Sequence, residues 1–548
     1  MSPSCGRLAL LIAAAAGLAS PALAQLRVAN WNVSTYPSTH QAARDAAFEF
    51  AIYTAFSGRV FAPDVLCGEE FNTAQGVTDF KAMLNGYTGG PTDWDAATFT
   101  SGPDTQSAFF FRSSKVTYLG KTLVISGDSS ANSTQPPRNV WRYDIRLAGY
   151  SNTGATVACY AVHMKSGSSS GAPTEDQERR LVEAAAIRAN SNALPAGWHF
   201  LIAGDFNIQT NTQAAYKELV DPTPPSAVIP ATTRGQFFDP IKSPGSWNNN
   251  GTWKFIHTQA PCHFSAPNNS GGMDDRFDII LLDSALIDTA GFDYIGNANI
   301  QYSQSAWNDL NHSYRCWGND GTSFNGDLTI VGNTMVGQDI AQALVDTAQD
   351  DGPGGHLPVY LDLRVPALVS APSTLNLGNI NQNDPGQTTL PVSNGGNVAL
   401  WNASGIASLQ YSLAASSGVT APGGAFSAAP GAPANNHTIS INTSTPGPFS
   451  GTVTINPTSA DTPAFQVTVT ATIVAPAVCY ANCDASTTPP IVNTGDFTCF
   501  LQQYSNAVVL PGAQQQTHYA NCDGSTTFPQ VNTADFTCFL QKYAAGCS

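Results

Sequence analysis

Six short apolar runs, far apart along the chain, each carry one or two polar side chains at an end or inside, and no other feature restricts the fold as much. They are Val28-Ala-Asn-Trp-Asn-Val33, Asp64-Val-Leu-Cys-Gly-Glu-Glu70, Ala161-Val-His163, Leu201-Ile-Ala-Gly-Asp-Phe-Asn207, Arg276-Phe-Asp-Ile-Ile-Leu-Leu282 and Gly354-Gly-His-Leu-Pro-Val359. Runs this apolar read as buried strands, and a buried polar group costs free energy unless it finds a partner. The polar tips are therefore expected to converge. In the fourth run, extended geometry puts residues i and i+2 on one face, so Asp205 and Asn207 point together. A carboxylate that can take a proton from water, beside a carboxamide that can fix its direction, is a pair hydrolysis can use.

Other strand candidates over 25–365 lie at 107–111, 116–125 and 141–147, and helices are expected at 41–56 and 174–190, the second with Thr174 and Gln177 as a capping box. Strands outnumber helices, as in a sheet-rich layered α/β domain.

Taken in order, these segments resemble the endonuclease/exonuclease/phosphatase family, the DNase I-like enzymes, over nearly all of 26–363. Any one motif is weak; the ordered set is specific. The resemblance implies a four-layer α/β sandwich with its site at one end of two packed sheets. It implies that Glu70 is the main ligand of a divalent metal, Mg²⁺ or Mn²⁺, with Asn32 close by. Glu69 then takes the place of a family glutamine. Asp205 and Asn207 would orient the attacking water and the phosphate, and His163 would stabilise charge on the phosphoryl oxygens. His356 would contact the scissile phosphate or transfer a proton, with Asp278 fixing its ring. These roles agree with the general chemistry: Mg²⁺ takes oxygen ligands and keeps waters, and phosphoryl transfer needs charge neutralisation more than covalent help. The sequence departs from the family at Gly355, where an aspartate usually precedes the last histidine; Asp350 or Asp351 could substitute. Lys165, entering the Ser/Gly-rich stretch 166–171 expected to be flexible, and Arg142 are candidate phosphate contacts, although Arg142 also reads as a plain surface charge. The loops 210–270 and 284–350, with Trp247, Trp253, Trp307 and Trp317, are expected to line the cleft.

Residues 366–475 contain no Lys or Arg and alternate as strands do, Ile439 and Ile441 against Thr438, Ser440 and Asn442. With turn signals at short intervals, this stretch is expected to form an immunoglobulin-like β-sandwich. Residues 476–548 contain a duplication: Tyr480-Ala-Asn-Cys-Asp recurs at Tyr519, and Val492-Asn-Thr-Gly-Asp-Phe-Thr-Cys-Phe-Leu-Gln recurs from Val531 with Ala534 for Gly495. Asn482, Asp484, Ser486, Asn493 and Asp496, and in the second copy Asn521, Asp523, Ser525, Asn532 and Asp535, set oxygen-bearing side chains before an apolar helix, which suits Ca²⁺. The pattern resembles dockerin-type repeats, implying a small α-helical module that binds Ca²⁺ and a cell-surface or cohesin-like partner. A module held by its cysteines alone is the other reading.

Residues 1–24 read as an export signal: Arg7, an apolar run from Leu8 to Leu18, and Ala22-Leu23-Ala24 before Gln25. The run is too short for a spanning helix, so a secreted or periplasmic protein with no transmembrane segment is expected. Six cysteines in the tail then suggest a disulfide framework, while Cys67, inside a strand, reads equally as a buried thiol. The formal net charge of −16 argues against tight nonspecific DNA binding. The function expected is hydrolysis of a phosphodiester, nucleic acid first. A phospholipid phosphodiesterase of sphingomyelinase type and a catalytically degenerate extracellular scaffold are the alternatives.

Overall fold

A computed structural model describes residues 25–38, 41–223, 225, 234–262, 272–348, 355–475 and 479–547. The expected export signal, Asp350 and Asp351 lie outside the described residues.

The first unit is built on two facing sheets. Its elements are β1 Leu26–Tyr36, α1 Gln41–Tyr53, β2 Val65–Phe71, α2 Ala74–Gly86, β3 Trp94–Ala96, β4 Gln106–Arg112, β5 Val116–Ile125, β6 Val140–Leu147, β7 Thr156–His163, α3 Asp176–Asn192, β8 His199–Asp205, α4 Ala214–Val220, β9 Asp278–Leu282, β10 Asp293–Tyr294, β11 Arg315–Cys316, α5 Gly337–Asp346 and β12 Val359–Arg364. One sheet runs β10-β12-β1-β2-β4-β3, with β11 also on β12; the other runs β5-β6-β7-β8-β9. Phe109 of β4 stacks on Tyr143 of β6 across the interior, centroids 4.7 Å apart. Both faces of the central strands are covered, so β1, β7 and β8 are buried almost throughout. Helices α1, α2 and α5 cover the first sheet, where Phe48 meets Trp31 and Phe80 edge-on. Helices α3 and α4 cover the second, and Tyr160 bonds Asn190 of α3. Aromatic pairs of this kind contribute about 0.5–1.5 kcal/mol each beyond burial. Helix, sheet, sheet, helix is the layering of a DNase I-like domain.

The register aligns the polar tips. β1 and β2 run parallel, pairing Asn32 with Glu69. β7 and β8 run parallel to the pair His163 and Asp205, and β9 meets β8 antiparallel at Asp205 and Asp278. β12 starts beside the same end of β1, at Asn30 and Val359.

Helix α3 starts later than the sequence suggests: Glu175 is its N-cap, with no side-chain cap bond, and Thr174 and Gln177 form no capping box. The first turn serves the preceding loop instead. Asp176 accepts from the amide and hydroxyl of Ser169, Gln177 donates to Ser168 O, and Glu178 accepts from Gly171 N. The Ser/Gly stretch expected to be flexible is thus tied down along its length.

The second unit is two sheets around one core: β13 Val369–Ser370, β15 Gly386–Asn394, β19 Asn435–Ile441 and β17 Val419–Thr420 against β14 Thr374–Asn381, β21 Phe465–Val474, β20 Gly447–Pro457, β16 Leu409–Ala415 and β18 Phe426–Ala428. It docks on the first unit opposite the polar tips. Val365 N donates to Gly405 O and Val365 O accepts from Ala407 N across the boundary, and Trp401 and Ile406 are buried in the core of the first unit. Lys115 donates to Leu400 O and lies 4.7 Å from the Trp401 ring.

In the tail, the two copies pack face to face, with Tyr480 stacked on Tyr519 and Phe500 on Phe539. Each tyrosine hydroxyl donates to the other's carbonyl. Three disulfides, Cys479–Cys547, Cys483–Cys499 and Cys522–Cys538, close it. The residues expected to bind calcium are hydrogen-bonded within their own loops. Asn493 and Asp496 form a capping box on helix Thr494–Ala507, as Asn532 and Asp535 do on helix Thr533–Ala545. Asp496 accepts from the amides of Asp484 and Asn493, and Asp535 from those of Asp523 and Asn532. Asn482 and Asp484 accept from Ser486 N, Asp523 accepts from Ser525 N, and Asn521 accepts from the Ser525 hydroxyl. These oxygens accept from amides and hydroxyls of their own loops.

Candidate active site

Each side chain at the aligned strand ends is set by a local backbone device. Gly204 precedes Asp205 where β7 and β8 come together; a Cβ there would lie 2.0 Å from Val162 O. Glu70 (φ 69°), Asn207 (φ 50°), Ser34 (φ 52°) and Thr35 (φ 64°) all adopt the left-handed region, which costs a non-glycine residue on the order of 1 kcal/mol. Strain gathered this tightly re-aims the side chains where the strands end.

Asn32 Nδ2 lies 3.1 Å from both Glu70 Oε1 and Asp205 Oδ2, and Thr35 Oγ1 donates to Glu70 Oε2 at 3.2 Å. His163 Nε2 is 3.5 Å from Asp205 Oδ2 and 4.0 Å from Glu70 Oε1. His356 Nε2 is 3.8 Å from the same Asp205 oxygen, and its Nδ1 is 2.7 Å from Asp278 Oδ2. Asn30 donates to the other Asp278 oxygen at 3.2 Å, and Trp31 Nε1 donates to His356 O. Asn207 supplies its amide to Asp205 Oδ1 at 2.9 Å. Asn32, Glu70, His163, Asp205, Asn207, Asp278 and His356 thus form one cluster.

Electrostatics separates the roles. Burial holds the Asp205 carboxyl at about 6 despite the nearby imidazole of His356. Burial depresses His163 well below the ordinary histidine value, aided by Arg138 and His356, so its imidazole is neutral. Burial would also depress His356, but the Asp278 carboxylate overrides it and lifts the ring to about 9. Glu69, fully buried with neither oxygen partnered, is driven well above the carboxylate range by burial and by Asp278 and Asp205. Glu70 is partly exposed and faces the cluster. These hard oxygen donors suit Mg²⁺, which needs one or two carboxylates and completes its shell with water and substrate oxygens.

Two candidates do not join the cluster. Arg142 pairs with Tyr160 on the face of β7 opposite His163, where it bonds Asp144 and Asn190 under α3. It is structural. Lys165 lies beside the site, but its ammonium is 2.9 Å from Asp176. Of the tryptophans, Trp247, Trp253 and Trp317 are buried, and Trp307 bonds Thr334 under Arg59. Gly355 has φ 60°, and a Cβ would lie 2.8 Å from that of Ala348, so an aspartate does not fit this backbone.

Some groups at the site carry no signal in the sequence. Gln259 Nε2 lies 3.1 Å from His356 Nε2, and Asp275, next to it in the backbone pairing, accepts from Asn248 at 2.9 Å. Arg138 reaches His163 O at 3.4 Å and pairs with Asp104.

Residues 29–273 match the Endonuclease/Exonuclease/phosphatase family. No curated protein matches the chain. Similar solved structures include TDP2 from D. rerio complexed with single-strand DNA product (15% identity, 62% of this chain and 99% of that one, TM-score 0.35). Others are a Bacteroides thetaiotaomicron mannosyl-6-phosphatase (13%, 62% and 99%, TM-score 0.31) and a functionally unknown conserved protein from Enterococcus faecalis (13%, 62% and 100%, TM-score 0.33). Over residues 29–273 the chain is thus similar to the endonuclease/exonuclease/phosphatase family.

Proposed function

We propose that the protein is an exported, Mg²⁺-dependent phosphodiesterase that hydrolyses nucleic acid by attack of water on phosphorus. The observation that carries this reading is the convergence of two histidines, three carboxylates, the Asn32 carboxamide and the backbone amide of Asn207 at one end of the paired sheets. Glu70 and Asn32 would hold the metal, which supplies positive charge to the phosphoryl oxygens. Asp205, held at about 6 and so mostly ionised at neutrality, takes the proton of the attacking water, and Asn207 fixes the direction of that water. Neutral His163 donates an N–H to a phosphoryl oxygen, stabilising charge as it grows. His356, held protonated by Asp278, donates to the scissile phosphate on the leaving side.

The surroundings of His356 support a polar substrate: Gln259, Asn248 and Asp275 offer amide and carboxylate groups where an acyl chain would need apolar ones. Export is supported by the leader-like first residues and by three disulfides in the tail, a density that suits an oxidising compartment.

The test is turnover of bis-p-nitrophenyl phosphate and single-stranded DNA with Mg²⁺, with EDTA, and by an Asp205→Asn control. Mg²⁺-dependent turnover lost in both controls is expected. Inactivity of the wild type on every phosphodiester with Mg²⁺ or Mn²⁺ would overturn the reading in favour of a binding protein.

A further inference from the structure

We infer that Gln259 is a positioning residue that keeps the His356 ring aimed at the substrate in both of its protonation states. The inference rests on the role proposed above for His356.

The ring has two nitrogens and two partners. Nδ1 is fixed by Asp278 at 2.7 Å, and Nε2, the nitrogen left to meet a substrate, faces the Gln259 amide at 3.1 Å. The amide is anchored from behind. Gln259 N donates to Asp275 O, and Gln259 O accepts from the amides of Asp274 and Asp275, so its backbone is paired as in a strand. His356 is fixed likewise, through Trp31 on its carbonyl.

A group that gives up and regains a proton alternates between donor and acceptor at Nε2. A carboxylate there could serve only the protonated ring, and an ammonium only the neutral one. A primary amide serves both by a half-turn about its last bond, offering N–H to the neutral ring and C=O to the imidazolium. Gln259 therefore prevents the ring from losing its orientation when its charge changes. When substrate arrives, an anionic oxygen takes the amide's place at Nε2, and the freed amide remains within reach of that oxygen.

The titratable groups facing the ring are Asp278 from β9, Asp205 from β8, Glu70 from β2, His163 from β7 and Asp275 from the segment before β9. The Gln259 substitutions below leave all five in place.

The experiment uses full-length protein with ¹³C-labelled histidine, in EDTA, with the His356 Hε1 signal assigned by its loss in His356→Gln. Gln259→Met keeps the length and removes both hydrogen-bonding functions; Gln259→Glu keeps only an acceptor. The amide's bond to the imidazolium is charge-assisted and the stronger of the two, so the His356 midpoint is expected to fall by about one pH unit in the first and to rise by about one in the second. With Mg²⁺, Gln259→Met is expected to lower kcat about tenfold with KM within twofold. Near-UV circular dichroism shows which variants are folded, and either folded variant decides the matter. A midpoint equal to that of the wild type in a folded variant overturns the inference. If wild-type protein hydrolyses no phosphodiester, the function proposed above fails while the titration still reports on Gln259.

Discussion

Glu69 and Glu70 are consecutive in β2, yet Glu69 is shut between the sheets with neither oxygen partnered while Glu70 turns through a left-handed backbone to reach Asn32 and Thr35. Their amide variants should therefore differ in kind. Glu70→Gln removes the carboxylate available to a metal and is expected to lower kcat/KM a hundredfold or more, about 3 kcal/mol of transition-state stabilisation. Glu69→Gln should keep most of the activity and act on stability instead. A carboxyl raised in the folded state contributes stability below its unfolded value and loses it as pH rises. Glu69→Gln is thus expected to raise Tm at pH 8 and leave it unchanged at pH 4. Calorimetry at the two pH values checks this, and an equal loss of activity in both variants would contradict the assignment.

Asp278 and His356 form a buried pair, so Asp278→Asn should remove the charge that holds the ring protonated. The ring's titration then moves toward acid, because burial is opposed only by Asp205 and Glu70. The activity expected at pH 7 is lower by about 10²–10⁴-fold, with the basic limb of the pH–rate profile moved toward acid. A profile unchanged in shape would mean that His356 does not act as an acid.

The extent to which these features were legible in the sequence depended on range. Polar groups at the tips of apolar runs announced Asp205, Asp278 and His356, because burying them alone would be costly. Helix α2 also carries a signal in the sequence, Thr73 as N-cap followed by Val77, Phe80 and Leu84 on one buried face. Gln259 left none: it lies in a loop, 97 positions from the histidine it touches. Arg142 misled because strand alternation gives a face but not which face is covered; α3 covers this one. In the tail, alternating oxygen side chains are common to metal loops and to loops closed by their own amides, and the sequence alone does not separate the two. The tryptophans in the long loops were equally ambiguous, and the loops turned out to fold them inward.

The tail offers a direct discrimination. With the expected ligand oxygens bonded to backbone amides, and a disulfide joining each loop to its helix, its order should depend on the cystines. Cys483–Cys499 and Cys522–Cys538 each close a loop of about 15 residues, which corresponds to about 3 kcal/mol in the chain-entropy picture. Limited proteolysis should cut the tail quickly after reduction, and equally slowly in Ca²⁺ and in EGTA when oxidised. Protection by Ca²⁺ in the oxidised protein would restore the calcium reading.

His199 ties the catalytic unit to the module behind it. It opens β8, the strand that ends in Asp205, and its Nε2 lies 2.9 Å from Asp461 Oδ1 while Nδ1 faces Asp283 at 3.6 Å. Asp461 also accepts from Phe292 N at 2.8 Å. Burial alone would keep the ring neutral, but bonding to Asp283 and Asp461 overrides it and lifts the ring to about 10. A histidine raised in the folded state stabilises fully below its unfolded value, about 6.5, and that contribution is lost as pH rises toward 10. The docked pair should therefore loosen on the alkaline side, and Asp461→Asn should lower Tm most below pH 6.5 and progressively less toward pH 10. Cutting the chain at residue 365 should do more harm still, because Trp401 and Ile406 belong to the core of the first unit. Loss of a buried tryptophan alone costs about 3–5 kcal/mol. The 25–365 fragment is thus expected to unfold well below 25–475 in a thermal melt. Equal melting temperatures for the two fragments would show that the second unit rests on the first without supporting it.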